Sequence, residues 1–128
     1  MKQFGLGKAH KLCSRSAIDR LFSRTDAHTA IAYPLRAVWG DNATRTAGEQ
    51  VQFLISIPKK RLRHAVDRVA MRRRVREAYR LNRATLACPA PGRFTDIAFI
   101  YIADCKEPYA KVERAVQRLL DKAFKQQS

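Results

Sequence analysis

The side chains in this sequence best placed to do chemistry are cations, not acid–base pairs or nucleophiles. Ser56–Arg83 reads SIPKKRLRHAVDRVAMRRRVREAYRLNR, 28 residues with eleven Lys or Arg and two acids, Asp67 and Glu77. The excess of nine positive charges is more than half of the formal +15 carried by the 128-residue chain. Charge at this density repels itself and weakens the compact state unless a polyanion opposes it. Guanidinium is permanently charged, planar and able to hold two phosphate oxygens at once, so arginine suits a surface that tracks a nucleic-acid backbone. A merely solvated helix face mixes both signs, and this one barely does. A one-sided basic helix in a strongly basic domain reads as an electrostatic footprint for nucleic acid.

Helical projection at about 100° per residue puts Arg72, Arg73, Arg76, Arg80 and Arg83 within an arc of roughly 100°. Met71, Val75, Ala78, Tyr79 and Asn82 fall on the neighbouring arc. The spacing predicts a helix with one side on a core and the adjacent side lined with guanidinium groups. Glu77 is within reach of Arg73, Arg74 or Arg80, but one carboxylate cannot neutralise the array. Upstream, Lys59, Lys60, Arg61 and Arg63 extend the positive surface through a loop opened by Pro58.

Other chemistry finds little support. No paired carboxylates and no Ser/His/Asp set have the spacing that general acid–base or nucleophilic catalysis requires. Cys13, Cys88 and Cys105 are odd in number and widely spaced, and His10, His28 and His64 show no metal-ligand spacing. No catalytic residue and no metal site is therefore assigned. The GLGK at Gly5–Lys8 lacks the full phosphate-loop pattern and a preceding strand.

The elements that position the cations follow from the pattern. With 128 residues and 46% hydrophobic content, a single domain spanning 1–128 is expected. No apolar run approaches the roughly 18 residues of a membrane span, and the first residues carry no apolar signal segment, so a cytoplasmic protein without membrane association is expected. Ser14 or Ser16 caps a short helix to about Ser23, with Ala17, Ile18, Leu21 and Phe22 on one face. Thr29–Trp39 is extended but interrupted by Pro34, giving two short strands or one kinked edge strand. Asp41–Gln50 is polar and turn-rich, the expected hairpin loop. Val51–Ile57 alternates as a strand, with Gln52, Leu54 and Ser56 on the less apolar side, open to solvent or ligand. CPAPGRF at Cys88–Phe94 stops the arginine helix, and Asp96–Ala103 is a strand covered on both faces. Pro108 opens a final amphipathic helix reaching Phe124, whose remaining positions mix both signs and read as solvent surface. The order of elements is α+β.

FLISIPKKRLRHAVDRVAMRRRVREAYR resembles the signature region of the bacterial ribonuclease P protein component. In that family a Ser-bearing strand leads to a Lys-Lys pair, Ala-Val, and an Arg-rich helix ending in Arg-Glu. The corresponding residues here are Ser56, Lys59, Lys60, Ala65, Val66, Arg68, Arg72, Arg73, Arg76 and Glu77. The lead-in Phe4-x-Leu6-x-Lys8 with Leu12, the pair Leu21–Phe22, the late apolar strand and the last helix extend the resemblance over most of the chain. One departure is central. The family has Arg-Asn-Arg at the start of the helix, where this chain has Arg68-Val69-Ala70. Positions 69 and 70 are not carried over, and Arg74 is a neighbouring group that could compensate.

The resemblance implies a small two-layer α+β sandwich, a four-stranded sheet with three helices, and a left-handed β-α-β crossover through the arginine helix. The hand is implied by the resemblance alone, since the general rule favours the right-handed form. It implies a protein that assists a catalytic RNA in removing the 5′ leader from precursor tRNA, with magnesium held mainly by the RNA and no obligate protein partner. Lys59, Lys60, Arg61, Arg68, Arg72, Arg73, Arg76 and Arg80 would contact the catalytic RNA through phosphates, setting register without reading bases. A groove bordered by Ile18, Phe22, Arg36, Phe53 or Leu54, and Ser56 would take the single-stranded leader by stacking and backbone contacts. A ribosomal protein or RNA chaperone accounts for the charge equally well, but not for the ordered match from Ser56 to Glu77. A helical DNA-binding module lacks the second short helix at helix-turn-helix spacing. A free-standing nuclease is the weakest alternative.

Overall fold

The computed structural model describes residues 21–22, 27–41, 50–86 and 93–125. Four strands, β1 (His28–Ala32), β2 (Leu35–Asp41), β3 (Val51–Ser56) and β4 (Thr95–Tyr101), form one sheet in the order β1-β2-β4-β3. Helix α1 (Ala65–Leu86) joins β3 to β4, and α2 (Tyr109–Leu120) follows β4 and runs into a π-helical turn at Asp121–Lys125. The α+β architecture read from the sequence is present. Of the three expected helices, the first lies mainly outside the described residues, of which Leu21 and Phe22 are helical.

Pro34 decides the first connection. It has no N–H to donate to a ladder, so the chain turns there instead of continuing as a kinked strand. The turn contains a cis Tyr33–Pro34 peptide bond, and β1 and β2 pair antiparallel as a hairpin, with Ala32 opposite Leu35. The hairpin expected across Asp41–Gln50 does not form. β4 lies between β2 and β3, pairing antiparallel with the first and parallel with the second. The unbroken apolar run of β4 is the physical reason: a strand covered on both faces belongs in the interior of the sheet. Parallel neighbours need a long crossover, and α1 supplies it.

Strand alternation gives the sheet two unlike faces. Ala30, Leu35, Ala37, Trp39, Val51, Phe53, Ile97, Phe99 and Tyr101 enter one core with Met71, Val75, Ala78 and Tyr79 of α1 and Val112, Ala115, Val116 and Leu119 of α2. The opposite face is thinner, with Leu21 packed on Val38 and Ala98, and Leu54 and Ile100 at its margin. α1 lies against β3, and α2 against β1 and β2. The π-helical turn keeps Ala123 and Phe124 buried after the regular helix ends. Pro108 is the residue capping α2, one position before the first turn that the sequence suggested. Among the described residues no helix is long and apolar enough to cross a membrane.

Candidate nucleic-acid interface

The arginine face of α1 exists because the opposite face is anchored. Met71, Val75 and Ala78 are fully buried and Tyr79 nearly so. Tyr79 packs against Phe53 at 4.5 Å between ring centroids and against Phe99 edge-on at 5.9 Å. With this side fixed, the neighbouring arc must face outward. Asp67 in the first turn and Arg83 in the last agree with the helix dipole.

The structure divides the predicted cations into two groups. Lys59 and Lys60 are exposed in a turn closed by Arg61 and Leu62 donating to the Pro58 carbonyl. Arg72 and Arg73 are exposed on α1 and make no ion pair among the described residues. The other four have internal partners. Arg61 donates to Asp104 at 3.0 Å, and Arg68 donates to the Leu62 and Arg63 carbonyls at 2.8 and 3.0 Å, tying the loop to the helix. Arg76 is half-buried and engaged within the protein. Arg80 holds Glu77 through two bonds of 2.7 Å, which selects one of the three partners open to Glu77. That pairing lowers the Glu77 carboxyl below its usual range and raises the Arg80 guanidinium.

Arg74 donates to the Glu107 carbonyl at 2.6 Å and so ties α1 to the segment that leads into α2. The first turns of the ridge are apolar, with Val66 74% and Val69 40% exposed.

Most of the described residues expected to border a groove lie on the thinner sheet face. The register aligns Ile31, Arg36, Ile100 and Ser56 as one row across all four strands. The next row is Thr29, Val38, Ala98 and Leu54, and Leu21 covers part of it. Arg36 is exposed, Ser56 half-buried, and Phe22 46% exposed beside its buried neighbour Leu21. Between the alternatives Phe53 and Leu54, the structure selects Leu54. Phe53 belongs to the opposite face, buried against Tyr79, because its strand parity matches Val51 and not Ser56. Ile18 lies outside the described residues. Sequence reading missed Ile31 and Ile100, whose places depend on strand pairing. The alternation of Asp96, Ala98 and Ile100 marked their face, but only the parallel register puts Ile100 beside Ser56.

Comparison with known proteins agrees with this geometry. The family described as Ribonuclease P matches residues 6–124. Two relatives named ribonuclease P protein component, from two strains of Porphyromonas gingivalis, are 38% and 37% identical over 119 residues. Each alignment covers 91% of this chain and 85% of the relative. Among solved structures, the Staphylococcus aureus RNase P protein superposes with a TM-score of 0.70 at 18% identity, covering 91% of this chain and 96% of that one. The Thermotoga maritima RNase P protein gives 0.68 at 18% identity, covering 88% and 96%.

Proposed function

From the premise that this chain belongs to the ribonuclease P protein family, we propose that it grips the catalytic RNA with the outer arc of α1 and the Lys59–Lys60 turn, and leaves hydrolysis to that RNA. The chain is a protein subunit of ribonuclease P, the tRNA-processing endoribonuclease. Arg72 and Arg73, uncompensated by any acid among the described residues, are the observation that carries the proposed mode of binding. Their charges neutralise phosphates without base contacts, so they fix the position of the protein on a folded RNA. Arg61, Arg68 and Arg80 shape this surface through their internal bonds and present what remains of their donor capacity.

The row Ile31–Arg36–Ile100–Ser56, with Phe22 and Leu54 at its margin, is assigned to the 5′ leader of precursor tRNA. Apolar and aromatic surface there stacks unpaired bases while Arg36 follows the backbone. Magnesium is assigned to the RNA partner. Among the described residues no three His, Cys, Asp or Glu side chains gather to hold a metal ion, and no step of the reaction is routed through this chain.

Reconstitution with a bacterial ribonuclease P RNA tests the assignment. Cleavage of precursor tRNA at low magnesium should be faster with the protein than without it. Equal rates would overturn the role in cleavage, and cleavage by the polypeptide alone would overturn the division of labour.

A further inference from the structure

Along the sequence, the outer positions of the last helix mix both signs. In space the charges are sorted. Glu113 and Gln117 face α1, where Asn82 donates to Glu113 at 3.3 Å and accepts from Gln117 at 3.1 Å. Lys111, Arg114 and Arg118 fall within an arc of roughly 60°, centred about 110° round the helix from that pair. Lys122 follows in the π-helical turn, and all four are exposed. Lys111 lies 5.1 Å above the Tyr33 ring and 3.5 Å from Glu107, which turns this side of α2 toward the β1–β2 hairpin. Arg114, Arg118 and Lys122 make no ion pair among the described residues. The adjacent acid, Asp121, is half-buried and engaged within the protein.

This stripe is not a continuation of the α1 ridge. Asn82 of α1 bonds to α2 and Arg74 to Glu107 just before it, and Arg72 and Arg73 lie on a different arc. The ridge is therefore turned away from α2, and the stripe lies to the side of the face of α2 that meets α1. α1 packs against β3 and α2 against β1 and β2, so the two faces belong to opposite sides of the helical layer. With two helices of about 10 Å diameter between them, the flanks stand on the order of 20 Å apart.

We propose that the Lys111–Arg114–Arg118–Lys122 stripe is a second RNA-backbone contact, holding a segment of the catalytic RNA distinct from the one on the α1 ridge. The proposal rests on the ribonuclease P reading given above. Successive cations stand about 4.5–6 Å apart along the helix axis; Lys111 is paired with Glu107, and Arg114, Arg118 and Lys122 face no acid among the described residues. Such a line is self-repelling until a polyanion meets it. Its partners are phosphates, since Arg114, Arg118 and Lys122 offer guanidinium and ammonium donors along one line, which suits backbone contacts that set position without reading bases. A compact RNA that reaches both flanks would be clamped across the helical layer, and its register held at two points.

The test uses the full chain carrying R114Q/R118Q/K122Q, with R72Q/R73Q as the ridge comparison and a bacterial ribonuclease P RNA transcript as probe. All five side chains are exposed, and thermal melts confirm that each variant folds. The stripe variant should flatten the log–log salt dependence of binding by about two to three units, since each lost phosphate contact removes about 0.7–0.9. It should also lose hydroxyl-radical protection at nucleotides different from those exposed by the ridge variant. The combined variant should show the sum of both losses, because the sites are far apart. A wild-type slope and footprint in the stripe variant, with losses in the ridge variant, would overturn the second contact and leave the subunit reading intact. Loss of protection at the same nucleotides in both would also overturn it. Unchanged binding in both variants would overturn the ridge itself.

Discussion

The rings of Phe53 and Tyr79 lie 4.5 Å apart, centroid to centroid, with their planes at 31°. This contact joins the middle of β3 to the buried side of α1, and it sets the rotation of the helix about its axis. The outward direction of Arg72 and Arg73 follows from it.

Truncating either ring should therefore cost more than local packing. Phe53→Ala should lower stability by about 3–5 kcal/mol, as for other buried aromatics reduced to alanine. A double-mutant cycle of Phe53→Leu and Tyr79→Leu should return a coupling of about 0.5–1.5 kcal/mol. Urea unfolding measures both, and a coupling near zero would show that the two rings do not jointly fix the helix.

Glu77 restrains Arg80 through two bonds of 2.7 Å. Glu77→Gln should release the guanidinium toward RNA and steepen the salt dependence of binding by up to about one unit. Its effect on stability should be small, because the pair is a partly exposed one at the surface. The carboxyl is held below its usual range by Arg80, so its stabilisation is present above the unfolded value and lost as pH falls through the lowered folded value. Weaker RNA binding by Glu77→Gln would mean that the pair itself orders the interface.

Arg36 sits in the row between Ile31 and Ile100 with its side chain exposed. Arg36→Gln should weaken binding of precursor tRNA severalfold in the reconstituted enzyme, the loss of about one phosphate contact. Affinity for mature tRNA, which has no leader, should not change. Titrations of both tRNAs check this, and an equal loss for both would place Arg36 outside the leader groove.

Tyr101 gives the fold an alkaline limit. Burial, and then the charge of Glu107, push its hydroxyl up to about 12, and it donates to the Cys105 carbonyl. The folded value lies above the unfolded one near 10, so this stabilisation is complete below pH 10 and is lost as pH rises toward 12. The loss should be about 1.4 kcal/mol per pH unit in that window. Tyr101→Phe should be about 1 kcal/mol less stable at neutral pH, having lost one hydrogen bond. Its stability curve should lack the Tyr101 component of the alkaline decline, measured by denaturant unfolding from pH 8 to 12. An identical decline in both proteins would remove Tyr101 as the cause.

Helical spacing alone settles which residues of α1 are buried and which are cationic, because both sets repeat at that spacing and composition restricts each to one arc. The sequence likewise settles the strands, whose faces alternate with residue number. Tertiary structure alone decided where β4 goes, since strand order depends on pairing between segments distant in the chain and not on any local pattern. That insertion brings Ile100 beside Ser56 and Arg36. It also decided which cations stay open to a partner: Arg61 is taken up by Asp104, 43 residues away, and Arg74 by a carbonyl 33 residues away. On α2, helical spacing separates Glu113 from the cations, and docking decided which side is covered, since Asn82 of α1 bonds to Glu113 and Gln117.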